Sequence, residues 1–157
     1  RGVAWFKKGE LKKSMKDFTK AIKINPKLGK AYNSRGIIHY SSQRYDLAIK
    51  DFSKAIALDK RYTNAYNNRG IAWRNIGEYQ KAIADYNRTM EINPRDPEAY
   101  NSLAWILSTC PDEKSRDGAR ALQLGTRAFL LRPDSFKLDT MAAAYAEMGN
   151  FDKPSMS

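Results

Sequence analysis

One cysteine (Cys110) and one histidine (His39) are all that 157 residues contain of the two commonest metal-binding side chains. A single cysteine excludes an internal disulfide framework and a cysteine-based zinc cluster. A single histidine excludes a multi-histidine metal site and a proton relay through a second imidazole. Long hydrophobic runs are missing as well. The longest purely apolar stretches, Leu103 to Leu107 and Met141 to Ala146, fall far short of the roughly 20 residues that cross a bilayer. No glycine-rich phosphate loop, G-x-S-x-G elbow or H-E-x-x-H motif is present, which removes the usual signatures of nucleotide, acyl-transfer and metalloprotease chemistry. The chain opens at Arg1 rather than Met. That start is expected of a fragment or a processed form, so targeting and compartment are not legible.

Acidic residues are scarce, 17 against 28 Lys and Arg, for a net charge of +11. The excess sits at one end. Arg1 and nine lysines within residues 1–30 face only Glu10 and Asp17, a net +8, while the remaining residues carry +3. Such an end can attract nucleic acid, anionic lipid or an acidic partner, although most charge runs are simply a solvated helix face. A hydrophobic fraction of 42% and an aromatic fraction of 11% are too high for a disordered tail.

A period of 34 residues runs through the chain. Gly2, Gly36 and Gly70 keep this step, as do Phe18, Phe52 and Tyr86, then Ala21 and Ala55, then Trp5, His39 and Trp73. Leu11, Tyr45 and Tyr79 follow it, and so do Pro26, Lys60 and Pro94, with proline lost in the middle copy. Each copy reads as two helices. Ala65, Ile71 and Ile76 lie near helical spacing, and Gly77 stops that helix by permitting a left-handed residue. Tyr79, Ala82, Ile83, Tyr86 and Met90 form a second apolar stripe, which Asn93-Pro94 ends. Asp96 then caps a new helix, with Pro97 at its first position and Glu98 at the positive end of the dipole. The spacing predicts first helices near 29–42, 63–76, 97–110 and 135–148, and second helices near 11–24, 45–58, 79–92 and 116–131. Gly36 and Gly70, with Ala48 and Ala82 opposite, are expected to let paired helices approach closely.

The run Tyr66-x2-Arg69-Gly70-x2-Trp73, then Ala82-x3-Tyr86, then Pro94 resembles the tetratricopeptide repeat, a 34-residue helix–turn–helix unit. The resemblance covers nearly the whole chain. It implies an all-α fold, a right-handed superhelical solenoid of stacked antiparallel helix pairs, forming a single array. Residues 1–28 are then a truncated first repeat, 29–62 and 63–96 the second and third, and 97–134 an irregular fourth with extra residues in STCPDEKSRDG between its helices. Residues 135–157 are a partial fifth. The stretch from Asn101 onward resembles the closing repeats of bacterial members of the family. The resemblance also implies a non-catalytic scaffold for protein–protein interaction, and carboxylates that recur with the repeat instead of converging agree with the absence of an active site. No cofactor, metal or small-molecule substrate is expected. Truncated ends around Trp5 and around Met141, Tyr145 and Phe151 are expected to be sticky, because stacked repeats bury their core only against neighbours.

Copies of the repeat can be compared with one another. Arg1, Arg35 and Arg69 precede the small glycine, and Asp17, Asp51 and Asp85 each follow 16 residues later. In the fourth copy both slots become leucine, Leu103 and Leu124. The joint loss predicts an Arg–Asp ion pair between the helices of a repeat, replaced there by an apolar contact. His39 occupies the slot of Trp5 and Trp73 and is expected to pack. Cys110 precedes Pro111, Asp112 and Glu113, neighbours that disfavour a reactive thiolate.

Three binding readings follow from the resemblance. The first places an extended peptide or partner segment in the concave groove lined by first helices. The candidate groove residues are Asn33, Ser34, Ile37 and Tyr40, then Asn64, Asn67, Asn68, Ile71, Arg74 and Asn75, then Asn101, Ser102 and Trp105. Asparagine recurs there at each repeat, and a row of amides can pair with any peptide backbone, since each amide both donates and accepts. Replacing Asn33, Asn67, Asn68 and Asn101 is therefore expected to abolish capture while leaving thermal stability nearly unchanged. Some family members grip a C-terminal carboxylate with Lys and Asn side chains. Here those slots hold Asn33, Ile37, Asn67, Glu98 and Ser102, without the lysine, so that specialised partner is not expected. The second reading is nucleic-acid or anionic-surface binding through the basic first repeat; against it, Lys12, Lys13, Lys16, Lys20 and Lys23 fall on the second helix, which the resemblance implies lines the outer convex face. The third is a spacer or oligomerisation module.

Overall fold

The computed structural model describes residues 8–113, 116–132, 143 and 145–147. All regular structure among them is helical, without a strand. The chain divides into two units, Arg1–Glu78 and Tyr79–Ser157. The first holds α1 (Lys8–Ile24), α2 (Gly29–Ser41), α3 (Tyr45–Leu58) and α4 (Thr63–Asn75). The second holds α5 (Tyr79–Ile92), α6 (Pro97–Thr109) and α7 (Gly118–Leu131). Residues 143 and 145–147 are helical too, while most of the helix expected over 135–148 lies outside the described residues. Trp5, Met141 and Phe151 also lie outside them; Tyr145 is exposed.

Two boundaries differ from the apolar pattern. Helix α1 is already helical at Lys8, the first described residue, ahead of Leu11, because the first packing residue does not mark where a helix starts. Helix α7 begins at Gly118 because Asp117 caps it, accepting a hydrogen bond from the Arg120 backbone N–H at 3.0 Å.

The turn after each second helix has a polar cause that repeats with the sequence. Asn25, Asp59 and Asn93 each accept a hydrogen bond from the backbone N–H two residues on, of Lys27, Arg61 and Arg95, at 3.1, 3.0 and 3.2 Å. This local side-chain turn explains why Lys60 can replace proline in the middle copy without losing the reversal. The hydroxyls of Tyr66 and Tyr100 then donate to the Lys60 and Pro94 carbonyls, at 3.2 and 2.9 Å, fastening the turn to the next helix. Asp96 caps α6 through the Glu98 N–H at 2.9 Å, with Pro97 at its start. The turn inside a helix pair relies on a left-handed residue: Gly77 at φ +83° and Gln43 at φ 60°.

In the first unit Ala48, Ile49, Phe52 and Ala72 form the core, with Ile37, Tyr40 and Trp73 packed against it. Helices α2 and α3 meet at Gly36, where an added Cβ would lie 2.6 Å from Phe52 Cε1. In the second unit α6 packs on α7 and also on α5. Leu103, Ala104, Ile106 and Leu107 are buried there with Ala121 and Ala128, and so are Tyr86 and Thr89.

One ion pair links the two helices that meet at Gly36. Arg35 Nε donates to Asp51 Oδ2 at 2.7 Å and its Nη2 donates to Oδ1 at 2.8 Å. The guanidinium also lies 5.8 Å from the centre of the Tyr32 ring. Hydrogen bonding to Asp51 raises the Arg35 pKa above its ordinary value against the opposing cost of burial. His39 is half-buried, as a packing residue should be, yet its Nε2 also faces Asp51 Oδ2 at 3.7 Å. Burial holds this imidazole below its ordinary range, and the Asp51 charge only partly offsets that. Arg69 repeats the tyrosine contact, 5.7 Å from the Tyr66 ring, and donates to Ser53 Oγ at 3.2 Å. Asp85 belongs to the second unit and is buried, and Arg1 lies outside the described residues. In the fourth copy Leu103 is buried and Leu124 half-buried, on helices that pack together.

Gln43 holds a backbone conformation that costs a non-glycine residue about 1–2 kcal/mol. Gln43→Gly is therefore expected to raise stability by about 1 kcal/mol, and Gly77→Gln to lower it comparably, read from urea midpoints at constant slope. Arg35→Met strands a buried carboxylate and should cost about 3 kcal/mol, the low end for a buried pair because Arg35 keeps some solvent. The double change Arg35→Leu with Asp51→Leu should cost less than Arg35→Met alone; an additive loss would show that the pair does not act as a unit.

Candidate functional site

Helices α2 and α4 belong to successive copies of the repeat, and the sequence brings polar groups to face one another between them. Asn68 Nδ2 donates to Asn33 Oδ1 at 3.1 Å, and Asn75 Nδ2 donates to the Tyr40 hydroxyl at 3.0 Å. Both bonds join residues 35 apart, so neighbouring first helices meet at one repeat plus one residue. Two turns of helix separate the bonds, and between them Ile37 and Ile71 are half-buried. Asn75 Nδ2 also donates to the Ile71 carbonyl at 2.8 Å, which fixes the amide orientation. Arg74 is half-buried at the same end, while Asn64 at the other end is exposed.

The amides are not equivalent. Asn33 and Asn67 are only 6% and 8% exposed, so the expected row of open amides does not hold for these two positions. Asn33 also hydrogen-bonds Tyr62, whose phenol burial raises above its ordinary pKa while that bond works against the rise. Its amide is consumed inside the protein, which corrects the expectation that its removal would leave stability unchanged. Of the asparagines bonded across the seam, Asn68, half-buried, and Asn75, exposed, reach solvent. Both use their N–H groups within the seam, so each can turn a carbonyl oxygen outward as an acceptor. Ser34 is half-buried beside them.

Asn101, Ser102 and Trp105 lie on α6 in the second unit, all half-buried. Asn101 Oδ1 is buried without a hydrogen-bond donor among the described residues. The structure thus brings together Asn33, Tyr40, Asn68, Ile71 and Asn75 on the first unit, while the α6 residues belong to the second. Tyr62 and the two 35-residue bonds are what reading the repeat in strict 34-residue steps misses. A search for polar pairs offset by one residue from the repeat period would have found the bonds; Tyr62 has no such signal. Among the described residues no group of His, Cys, Asp and Glu is placed to hold a metal ion, and no helix is long and apolar enough to cross a membrane.

Tetratricopeptide repeat models match residues 29–62 and 63–96, and a second such model matches residues 2–28. Together they span more than half of the sequence, and the chain belongs to the tetratricopeptide repeat family. No curated protein matches it in sequence. Among solved structures it resembles MamA, with a TM-score of 0.76 and 21% identity over 93% of this chain and 78% of that one. It also resembles the first tetratricopeptide-repeat domain of Spaghetti (RPAP3) bound to the HSP90 peptide SRMEEVD, with a TM-score of 0.68 and 16% identity over 78% of this chain and 92% of that one. The tetratricopeptide-repeat domain of Arabidopsis OM64 gives 0.66 and 20% over 78% and 95%. At these identities the likeness establishes the all-α tetratricopeptide fold. Proteins of this fold are in general non-catalytic scaffolds for protein–protein interaction.

The two classes of asparagine should separate on mutation. Asn33→Ala removes partners from the Asn68 and Tyr62 side chains and is expected to cost about 1–3 kcal/mol of stability. Asn75→Ala, at the exposed end, should stay within about 0.5 kcal/mol of the wild type. Thermal or chemical denaturation of the single variants decides between them.

Proposed function

We propose that this chain is a non-catalytic scaffold that holds an extended segment of a partner protein against α2 and α4. The observation that carries this reading is the seam itself. Asn68 and Asn75 are oriented by bonds inside the protein and offer carbonyl oxygens beside the Tyr40 hydroxyl, with Ile37 and Ile71 between. An extended peptide presents backbone N–H groups that need acceptors and side chains that need an apolar surface, and preorganised amides lower the entropy cost of meeting them. Ser34, Asn64 and Arg74 border this surface. Asn101, Ser102 and Trp105 are a separate candidate set on α6.

The likeness to a domain bound to a peptide supports peptide capture as the use of this fold. The candidate slots of this chain hold no lysine for a terminal carboxylate, and Glu98 would repel one. An internal segment of the partner is therefore the better match. Asn33 acts from beneath, accepting the Asn68 N–H and so supporting an amide that touches the ligand.

A random peptide library displayed on phage, selected on the immobilised chain, tests the reading without a known partner. Selected peptides should lose at least about tenfold in affinity for the double variant Asn68→Ala with Asn75→Ala, in line with two lost hydrogen bonds. Because Asn68→Ala also strands the buried Asn33 Oδ1, the double variant is expected to lose about 1–3 kcal/mol of stability, so affinities are compared at a temperature where circular dichroism shows both proteins folded. Capture that is unchanged by the double variant would move the site away from α2 and α4.

A further inference from the structure

Five lysines of α1, Lys12, Lys13, Lys16, Lys20 and Lys23, are all exposed. At 3.6 residues per turn they fall within about 100° of arc, along about 16 Å of helix. Leu11, Met15, Phe18, Ala21 and Ile22 occupy the other side, half-buried, and α1 packs on α2. Glu10 and Asp17, the two acids of the helix, lie beyond the edge of the lysine arc. Lys27 and Lys30, in the turn and at the start of α2, extend the exposed basic surface.

This arrangement works against the helix that carries it. Lys12 with Lys16 and Lys16 with Lys20 are like charges one turn apart, and Lys13 with Lys16 and Lys20 with Lys23 are three residues apart, spacings at which equal charges repel. The equivalent second-helix slots of the next copy are Asp46, Leu47, Lys50, Lys54 and Ala57; in the third copy they are Gln80, Lys81, Ala84, Arg88 and Glu91. There Arg88 is paired with Glu91 at 2.9 Å. Of these three copies, the first alone has an unmixed lysine face, so the repeat fold does not require it.

We infer that the lysine face of α1 docks on an anionic lipid bilayer. Clusters of four to eight lysines on an amphipathic helix suit the diffuse negative potential of such a surface. Two further features favour lipid over nucleic acid. Helix α1 contains no arginine, the residue suited to forked phosphate and base contacts, and its lysine arc carries no aromatic ring for base stacking. Ile24 is 75% exposed at the end of the same helix, next to Lys20 and Lys23, with Leu28 also exposed. An aliphatic side chain beside lysines can enter the interfacial layer of a bilayer while the ammonium groups stay among the headgroups. This surface does not include the seam between α2 and α4, so the two proposals stand or fall separately.

Sedimentation of the whole chain with lipid vesicles tests the inference. It should bind phosphatidylcholine vesicles containing about a third phosphatidylserine at about 0.1 M salt, and not pure phosphatidylcholine. The triple variant Lys12→Gln, Lys16→Gln, Lys20→Gln should lose about a hundredfold in partition, at about fivefold per lysine. The charge-matched triple Lys50→Gln, Lys54→Gln, Lys60→Gln should lose less than about tenfold, because those lysines lie on other parts of the surface. Ile24→Ser should weaken the binding that persists at about 0.5 M salt, where charge is screened. Circular dichroism confirms that each variant is folded. Absence of binding to the anionic vesicles, equal losses in the two triples, or tighter binding to a DNA duplex at the same salt would each overturn the inference.

Discussion

The contact between Gly36 and the Phe52 ring sets the distance between α2 and α3, and the polar features of the first unit depend on it. A side chain at Gly36 would collide with a ring buried in the core, so the helices can sit this close only with hydrogen in that place. The neighbours of these two residues in sequence are Arg35 and Asp51. Once the helices are in register at Gly36, the guanidinium reaches the carboxylate with both of its arms. A wider spacing would leave Asp51 buried without that partner, a costly state in a low-dielectric interior. In the fourth copy the two slots hold leucines, on helices that pack together.

Between α2 and α4 the chemistry is different in kind. Amides and a tyrosine hydroxyl frame this seam, with Ile37 and Ile71 between them, and each polar bond orients a neighbouring group. Asn33 is spent in this way, held by Asn68 and Tyr62. Asn68 and Asn75 sit on top of the arrangement and keep acceptors for something else. On the proposed reading such a polar surface would pair with backbone rather than side chains, which suits a scaffold whose fold supports many partners.

Charge adds a second and independent surface. The five lysines of the α1 face are exposed and repel one another, whereas α3 and α5 carry fewer basic residues, mixed with acids. Electrostatics of this type acts over a Debye length and weakens with salt; the amide seam acts only at contact distance. One chain can thus meet a surface and a peptide by physically separate means.

The sequence by itself determined the helices. A 34-residue period, an apolar stripe per helix, Asn-Pro and Asp-Pro punctuation and Gly77 were enough to place α2 to α6 within a residue of their observed ends, because these signals are local. The Arg35–Asp51 pair was also legible, since the fourth copy loses both members at once. What the tertiary structure alone decided was which polar residues remain available. Asn67 and Asn68 are adjacent asparagines near the start of one first helix, and nothing in their composition ranks them. Asn67, like Asn33 one repeat earlier, is buried, whereas Asn68, one residue later, stays half-open and bonds Asn33 across an offset of 35 residues, one more than the repeat. Burial is a property of the neighbouring helix, and no pattern within a single repeat contains it.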